Sequence, residues 1–522
     1  MINLKKANIF YNFLLLRQNR ISSKYINLLK KKPYLLVCNI FDRHTKPSCI
    51  NALDTMFQFG IKGKELDTTL LQTLDKSQLY AYKLGCFLSM KVHYQPNLIF
   101  SLLKSIIRYL FKLIFSLSDI VYTIFYSIFY VNFKTNNRIR TIALKGKKEK
   151  LNLYTISYWK SKKNNSIYHY YPDADSRKND YFIATEFPEF NSIGIGLKNC
   201  KKNIYKSLDF LSNKDIIISI FLLIESYLFD FFGSYKKTYG SCINNLIKLS
   251  FLNRRFLYIL NYQSSNKIIN FLNLNSIIIW SENQNDSKLF STGLIQNSSK
   301  KTNTKIISYL GCTTFSSNYH KQFVPLKYEL DLGVWGKKIF MLHDQQSIDE
   351  FRTLLNKNFE KNNFKYIKIR KGLQRFKFNN LSINSIDFTK RDFTFITHGT
   401  DNEFLQVLKM LLSNESKIFK NIKKSSLFVR LHPSLSLSRI NNIISLLNKD
   451  SKYKPFEIKI IDNKNESLIE TLYKSNYNIF GDSSLINIAL ALNLNVISVR
   501  TSFLYQAPIQ GLNMKNKNLT FI

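Results

Sequence analysis

The sequence predicts an α/β fold with doubly wound parallel sheets, and two observations carry that expectation. Short apolar runs alternate with stretches of helical periodicity, most cleanly in the last third of the chain. Two of those runs, Phe428–Pro433 (FVRLHP) and Asn478–Ser484 (NIFGDSS), end in polar groups suited to holding a phosphate.

The C-terminal third reads as follows. Phe393–Thr397 is a strand and Asp401–Leu412 a helix; Ser426–Leu431 is a strand and Leu437–Leu447 a helix. Glu457–Ile461 is a strand, Leu468–Lys474 a helix, Tyr477–Phe480 a strand, Leu485–Leu492 a helix and Asn495–Val499 a strand. The first half alternates more thinly. Leu35–Ile40 is a candidate first strand, followed by Leu151–Ser157, Ser276–Trp280, Lys305–Leu310 and Lys338–Leu342, with a helical stretch from Ser347. These elements divide the chain into an N-terminal region over 1–140, a first domain over 141–350 and a second over 385–522. The Lys- and Asn-rich stretch near 345–390 reads as their connection.

Composition bounds the function. With 522 residues, 45% of them hydrophobic, the chain can bury sizeable cores and is not globally disordered. Lys and Arg number 76 against 35 Asp and Glu, a net charge of +41. That surplus suits an anionic partner: a nucleic acid, a bilayer surface or a phosphorylated substrate. An AT-rich genome pushing codons towards Lys and Asn gives the same surplus. The aromatics fall mainly in apolar runs and are not interleaved with basic residues, so no nucleic-acid partner is expected. None of the six cysteines forms a C-x-x-C pair or has a His at ligand spacing. This excludes the usual zinc and disulfide frameworks and fits a reducing cytoplasm. The basic N-terminus lacks a small-residue cleavage site and is not read as a signal peptide.

Two apolar segments raise the membrane question. In residues 101–131, Lys104, Arg108 and Lys112 lie four apart on one helical face beside Leu, Ile, Phe and Tyr. This suits a helix lying in the headgroup region of an anionic membrane. Its second half, Leu113–Val131, is near spanning length at ~20 residues, with Asp119 inside it; a span and a buried hairpin are the competing readings. Asp215–Phe232 stops before Gly233, a candidate cap, and is interrupted by Glu225 and Asp230. It reads as a core or interdomain helix. Residues 138–150 read as a basic linker.

In an open parallel sheet, ligands sit beyond the carboxyl ends of the strands. The first strand end of the last third offers His398, Gly399 and Thr400, with Thr400 and Glu403 in capping-box spacing at a helix start. The second offers Arg430, His432 and Pro433, and the third Ser483 and Ser484 before an apolar helix. Each alone is an ordinary strand–helix turn; together they form a candidate phosphate cradle. Arg500–Ser502 and Ala507–Ile509 would close the same end. In the first half, Glu282 follows the SIIIW strand and is a candidate general base, or else a solvated loop carboxylate. Asp173 and Asp175 mimic a metal-binding pair but read as a solvated loop. No Walker, dinucleotide, nucleophile-elbow or zinc-protease motif is present.

The segment Trp280–Gln284 (WSENQ), the strand Val429–Pro433, Ser483-Ser484 with ALALNLNVI, and Ala507–Gly511 together resemble the GT-B glycosyltransferases of bacterial surface-carbohydrate (O-antigen and capsule) biosynthesis. The HP and SS pairs are also similar to those of sialyltransferases, Kdo transferases and CDP-glycerol glycerophosphotransferases. The resemblance covers roughly residues 270–515. Asn285–Lys288 departs from the family's usual continuation, and 1–140 has no counterpart. What it implies is a GT-B-like pair of Rossmann-like domains facing a cleft, with a helical basic and apolar insertion near the N-terminus. It also implies a nucleotide-sugar donor, CMP-linked in the sialyl and Kdo case, and a glycan or lipid-linked acceptor. His432 and the serines would hold the donor phosphate, Glu282 would act as base, and no metal or other cofactor would be needed. An enzyme peripheral on the cytoplasmic face of the inner membrane is expected. Another transferase, of glycerol phosphate or of a UDP- or GDP-linked sugar, and a non-enzymatic basic membrane-associated protein are the alternatives.

Overall fold

The computed structural model describes residues 24–41, 98–133, 142, 150–156, 180–185, 204–233, 254–281, 285–297, 303–310, 324–342, 345–358, 367–371, 391–397, 401–413, 426–432, 435–449, 457–462, 466, 468–481, 483, 485–499 and 518–521. The chain divides into two compact units. One comprises residues 8–311 and 322–377; the other comprises 378–522 with two short pieces, 1–7 and 312–321.

The first unit holds seven parallel strands: β1 (Leu151–Ile156), β2 (Asp180–Ala184), β3 (Ile204–Lys206), β4 (Leu274–Trp280), β5 (Lys305–Leu310), β6 (Ile339–Leu342) and β7 (Lys368–Lys371). Their order is β3-β2-β1-β4-β5-β6-β7. The second unit holds six: β8 (Arg391–Ile396), β9 (Leu427–Arg430), β10 (Ile458–Ile461), β11 (Ser475–Phe480), β12 (Val496–Ser498) and β13 (Leu519–Phe521). Their order is β10-β9-β8-β11-β12-β13, again all parallel. Both sheets therefore have the 3-2-1-4-5-6 winding of a Rossmann fold, the first with one strand added at its edge. The expected pair of doubly wound domains is present.

The winding follows from the residues. Covered on both faces, inner strands of a parallel sheet read as continuous apolar runs, as in β4 (LNSIIIW) and β5 (KIISYL). Ile277 and Ile279 of β4 pack with Leu153, Ile268, Phe290 and Ile306 in the first core. In the second sheet, alternate residues serve opposite faces. Phe393, Phe395, Leu427, Val429 and Ile479 meet Phe404, Val407 and Ile440 on one side. Ile396, Phe480 and Val496 meet Leu472, Ile486 and Ala489 on the other.

The described α-helices of the first unit are α1 (Leu98–Phe133), α2 (Asn213–Phe232), α3 (Arg255–Phe271), α4 (Asn285–Asn297), α5 (Lys327–Asp331) and α6 (Gln345–Asn358). Those of the second are α7 (Asp401–Ser413), α8 (Leu437–Lys449), α9 (Leu468–Tyr473) and α10 (Leu485–Ala491). A further helical segment spans 24–31. Helices α3 and α4 approach closely at Gly293, where a Cβ would fall on Ser265 Oγ and 2.7 Å from the Tyr262 carbonyl. Gly336, with φ of +58°, turns the chain into β6 against the Ile306 carbonyl, 2.7 Å from where a Cβ would sit.

Two sequence expectations are corrected. Leu35–Ile40 does not add a strand: Pro33–Val37 is a 3₁₀ turn, continued at Asn39–Phe41. Pro33 stands in its first turn with φ preset, and the run is buried, so it has no period from which strand and helix can be told apart. The stretch near 345–390 is not merely a connection. It contains α6, which buries Ile348, Phe351 and Leu355, and the edge strand β7. Gly233 caps α2 as expected: its N–H bonds Phe229 O at 3.0 Å, with an ordinary φ of −57°.

Helix α2 is bound to α3 at both ends. Near its start, Asp215 closes a capping box with Ser212 and pairs with Lys267 at 3.2 Å. Near its end, Asp230 meets Arg255 at 2.6 Å with both side chains buried, and Asp230 Oδ2 also accepts the Asn39 N–H at 3.1 Å. Burial opposes the charge on Arg255, but the neighbouring carboxylate more than offsets it and holds the guanidinium protonated. Removing one member of such a pair strands the other charge. The Asp230→Ala variant is expected to lose about 3–5 kcal/mol of stability, measured by chemical denaturation; an unchanged midpoint would show that the pair does not clamp the helix.

Candidate functional site

In the second sheet the winding reverses between β8 and β11, and the crevice outside their carboxyl ends is the place for a ligand. The register pairs Ile396 with Arg430 on one side and with Phe480 on the other. The ends of β9, β8 and β11 are therefore level. The β9 and β11 ends stand two strand spacings apart, about 10 Å.

The β8 end is described to Thr397, which is buried; His398, Gly399 and Thr400 lie outside the described residues. Thr397 ties its neighbour down. Its N–H donates to Arg430 O at 3.1 Å, and its Oγ1 accepts the His432 N–H at 2.7 Å and donates to Arg430 O at 3.2 Å. His432 is thus fixed by its backbone where β9 ends; Pro433 lies outside the described residues. Sequence reasoning missed Thr397, although a threonine closing a strand beside a second strand end is a legible signal.

Arg430 is engaged by the scaffold. Alternation along β9 puts Leu427 and Val429 on the α7 and α8 side and Arg430 on the α9 side. There its Nη1 donates to Glu466 O at 2.9 Å and to Thr471 Oγ1 at 2.7 Å. The Glu466 carboxylate accepts a two-pronged grip from Arg391 at 2.8 and 2.7 Å, the Thr471 hydroxyl at 2.7 Å and Lys474 at 3.2 Å. Burial alone would raise Glu466, but these donors hold it at about 2. For Arg430 burial is the larger influence and lowers its proton affinity, with Glu466 opposing. Arg391 and Glu466, also missed from sequence, sit at a strand start and in a polar loop with no periodic signal.

At the β11 end Gly481 and Ser483 are buried, while Asp482 and Ser484 lie outside the described residues. Ser483 Oγ accepts the Leu485 N–H at 3.3 Å, which caps the start of α10. The capping role weighed for one serine is therefore present.

The first sheet reverses between β1 and β4. The β4 end is held by Trp280 N–H on Thr155 Oγ1 at 3.0 Å and by Ser281 N–H on Tyr309 O at 2.8 Å. Glu282 follows directly and lies outside the described residues, as do Asn283, Gln284, Asp173, Asp175, Arg500–Ser502 and 507–511. Among the described residues there is no group of three or more side chains able to hold a metal ion.

No protein-family model matches the chain, and no curated protein matches it in sequence. Among solved structures it is similar to the UDP-GlcNAc 2-epimerase of Methanocaldococcus jannaschii: 14% identity over 71% of this chain and 95% of that one, TM-score 0.35. It is also similar to apo OtsA, at 10% identity over 70% and 89%, TM-score 0.37. A third is the E. coli heptosyltransferase WaaC with ADP-2-deoxy-2-fluoro heptose, at 10% identity over 71% and 92%, TM-score 0.27. The strand orders themselves define the fold of this chain.

The ionic hub has a pH signature. Glu466 is depressed from an ordinary 4.5 to about 2 in the folded chain, so on acidification the unfolded chain takes up the proton first. Its contribution is full above pH 4.5 and is lost as pH falls towards 2. Acid titration of the unfolding midpoint is expected to fall through that window, and Glu466→Gln to flatten the slope while lowering the plateau. An unaltered slope would dismiss the hub.

Proposed function

We propose that the chain is a glycosyltransferase of surface-polysaccharide biosynthesis that takes its sugar from a nucleotide-activated donor. The observation that carries this reading is the level placement of the β9, β8 and β11 ends across the switch point of a 3-2-1-4-5-6 sheet. The polar groups following those three strands are the ones that the sequence marks as phosphate-holding.

In this reading His432, Ser483 and Ser484 hold the donor phosphate. His398, Gly399 and Thr400 follow β8 in sequence and precede α7, whose N–H groups favour an anion. Arg430 braces the strand end from behind. The bond from the anomeric carbon to the phosphate oxygen breaks, and the charge growing on the departing phosphate is met by fixed donors. The acceptor hydroxyl forms the new bond and gives its proton to a general base, the role assigned to Glu282, which follows β4 in sequence. With protein donors meeting the phosphate charge, this assignment calls for no metal. The donor we favour is a CMP-linked nonulosonic acid or Kdo, and the acceptor a glycan or lipid-linked saccharide on the cytoplasmic face of the inner membrane. The HP and SS pairs support the cytidine class.

Nucleotide-induced stabilisation tests the donor. CMP or CDP at a hundred times its dissociation constant is expected to add about 2.7 kcal/mol of stability, read as a raised melting temperature. Stabilisation by UDP or GDP alone would sink the CMP-sugar assignment. His432→Ala is expected to abolish the shift and to slow transfer by about 100-fold or more; transfer at the parent rate would remove His432 from the site.

A further inference from the structure

We propose that α2, with the outer face of α1 beside it, is a membrane-docking surface that lies flat in the headgroup region of an anionic bilayer. This stands independently of the transferase reading, and α2 is a helix that the sequence assigned to the core or to a domain boundary.

The polarity of α2 is inside out. Its inward stripe is Asp215, Ser219, Leu223, Ser226 and Asp230, all buried. Its outward stripe is Ile217, Phe221, Ile224, Leu228, Phe231 and Phe232, all exposed, with Phe221 at 67% and Phe232 at 73%. A helix on a protein facing water shows the reverse. Helix α1 repeats the pattern, burying Ser116 and Ser127 while Phe115, Phe125 and Phe129 are exposed. Among the described residues twenty-two large apolar side chains are exposed, eleven on α1 and seven on α2. The surplus is therefore concentrated on two helices, and a contiguous exposed apolar patch of that kind marks an interaction or membrane surface. The helices meet where Asn213 Nδ2 donates to Asn132 Oδ1 at 2.6 Å, and Tyr130 OH donates to Asp209, in the 3₁₀ turn Ser207–Phe210 that precedes α2, at 2.5 Å.

Charge selects the occupant. The acids of α2 are turned inward or paired, Glu225 with Lys32 and Tyr34. The exposed charges nearby on the 24–31 segment and at the α2 start are cationic: Lys24, Lys30, Lys31 and Lys214. Tyr25 packs on Phe229, which sets that basic segment alongside α2. Lys104, Arg108 and Lys112 occupy positions four apart on α1. An apolar face with a cationic rim matches acidic lipid headgroups over an acyl layer.

The clamp sets the orientation. Asp215–Lys267 and Asp230–Arg255 hold α2 along α3 at points about 22 Å apart. Helix α3 packs on α4 and buries Arg255, Asn261, Ser264 and Ser265. An α2 that crossed the bilayer would carry those polar groups into hydrocarbon. Lying in the plane leaves them inside the protein. Among the described residues, Leu113–Phe133 of α1 alone is long and apolar enough to cross, but Asp119 is exposed within it, which favours the interface over the bilayer centre.

Vesicle partition of the full chain tests this. It is expected to co-sediment with phosphatidylglycerol–phosphatidylethanolamine vesicles and to bind pure phosphatidylcholine vesicles at least tenfold less. The double variant Phe221→Asp/Leu228→Asp, substituted only at exposed positions, is expected to lose at least tenfold in partition at an unchanged melting temperature. If that variant melts early, Phe221→Ser alone is read the same way. Tryptophans placed by Phe221→Trp and Leu228→Trp are expected to be quenched equally by shallowly brominated lipids. A depth difference near the about 10 Å that separates them along the axis would overturn the in-plane orientation. The docking surface itself is overturned if the parent stays in the supernatant or the variant partitions like the parent. A parent dimer that the variant abolishes, with no vesicle binding, would reassign the face to a second copy.

Discussion

The Arg255 guanidinium meets the Asp230 carboxylate at 2.6 Å with neither side chain open to solvent, and the arrangement of the first unit's helices hangs on that contact. Asp230 also accepts the Asn39 N–H, Arg255 lies over the Tyr227 ring at 4.2 Å, and Cys38 Sγ contacts Ser226 O at 3.5 Å. One buried pair thereby joins α2, α3 and the 3₁₀ turns after Pro33. Such a pair gains little net stability over a well-packed apolar substitute, because both charges lose water. Its value is positional. Asp230 Oδ1 and Arg255 Nε have no hydrogen-bond partner, so the pair is held in place by its surroundings and not fully satisfied by them. A polar inward stripe also has a consequence for the opposite side: with its acidic groups turned inward or paired, α2 presents apolar side chains outward from Ile217 to Phe232.

The second unit uses the same device for another end. Glu466 is gripped by Arg391 from the start of β8 and bonded through its carbonyl by Arg430 from the end of β9. These two strands are neighbours in the half of the sheet on one side of the switch point. The hub ties their opposite ends to the crossover that leads into β11. The carboxyl end of β9 therefore rests on a charged brace beneath the sheet face. Arg430 illustrates the division of labour: one residue from His432 along the alternating face, it holds the strand from which His432 emerges.

Legibility in the sequence followed burial symmetry. The nine elements read between Phe393 and Val499 all occur, with ends shifted by one or two residues, because their helices are amphipathic and their strands are short apolar runs between polar turns. The first unit was harder. Helix α3 buries Asn261, Ser264, Ser265 and Arg255, so its pattern of apolar residues does not mark its inner face. Strand β7 (KIRK) sits at a sheet edge with Lys368 and Arg370 exposed, and β2 and β3 are short. The 3₁₀ turns after Pro33 look like a strand because a wholly buried run carries no period. At the strand ends, the polar groups could be picked out from the sequence and Thr397 could have been, as a threonine that closes a strand, whereas Arg391 and Glu466 act through pairings set by tertiary register.

The inverted helix α2 shows why composition alone misleads. Counted by residue type, Asp215, Glu225 and Asp230 break the apolar run and turn the segment into an ordinary core helix. Counted by direction, Asp215 and Asp230 lie on the inward stripe and Glu225 is paired, while the outward stripe repeats every three to four residues without a charge. A bilayer reads only the outward stripe. A helix can therefore fail the composition test for membrane contact and still meet lipid along its whole length, provided the protein supplies partners for each charge behind it. Arg255, Lys267, Lys32 and Tyr34 are those partners here. The buried ion pair and the exposed phenylalanines are then two sides of one constraint, since each makes sense of the other's placement.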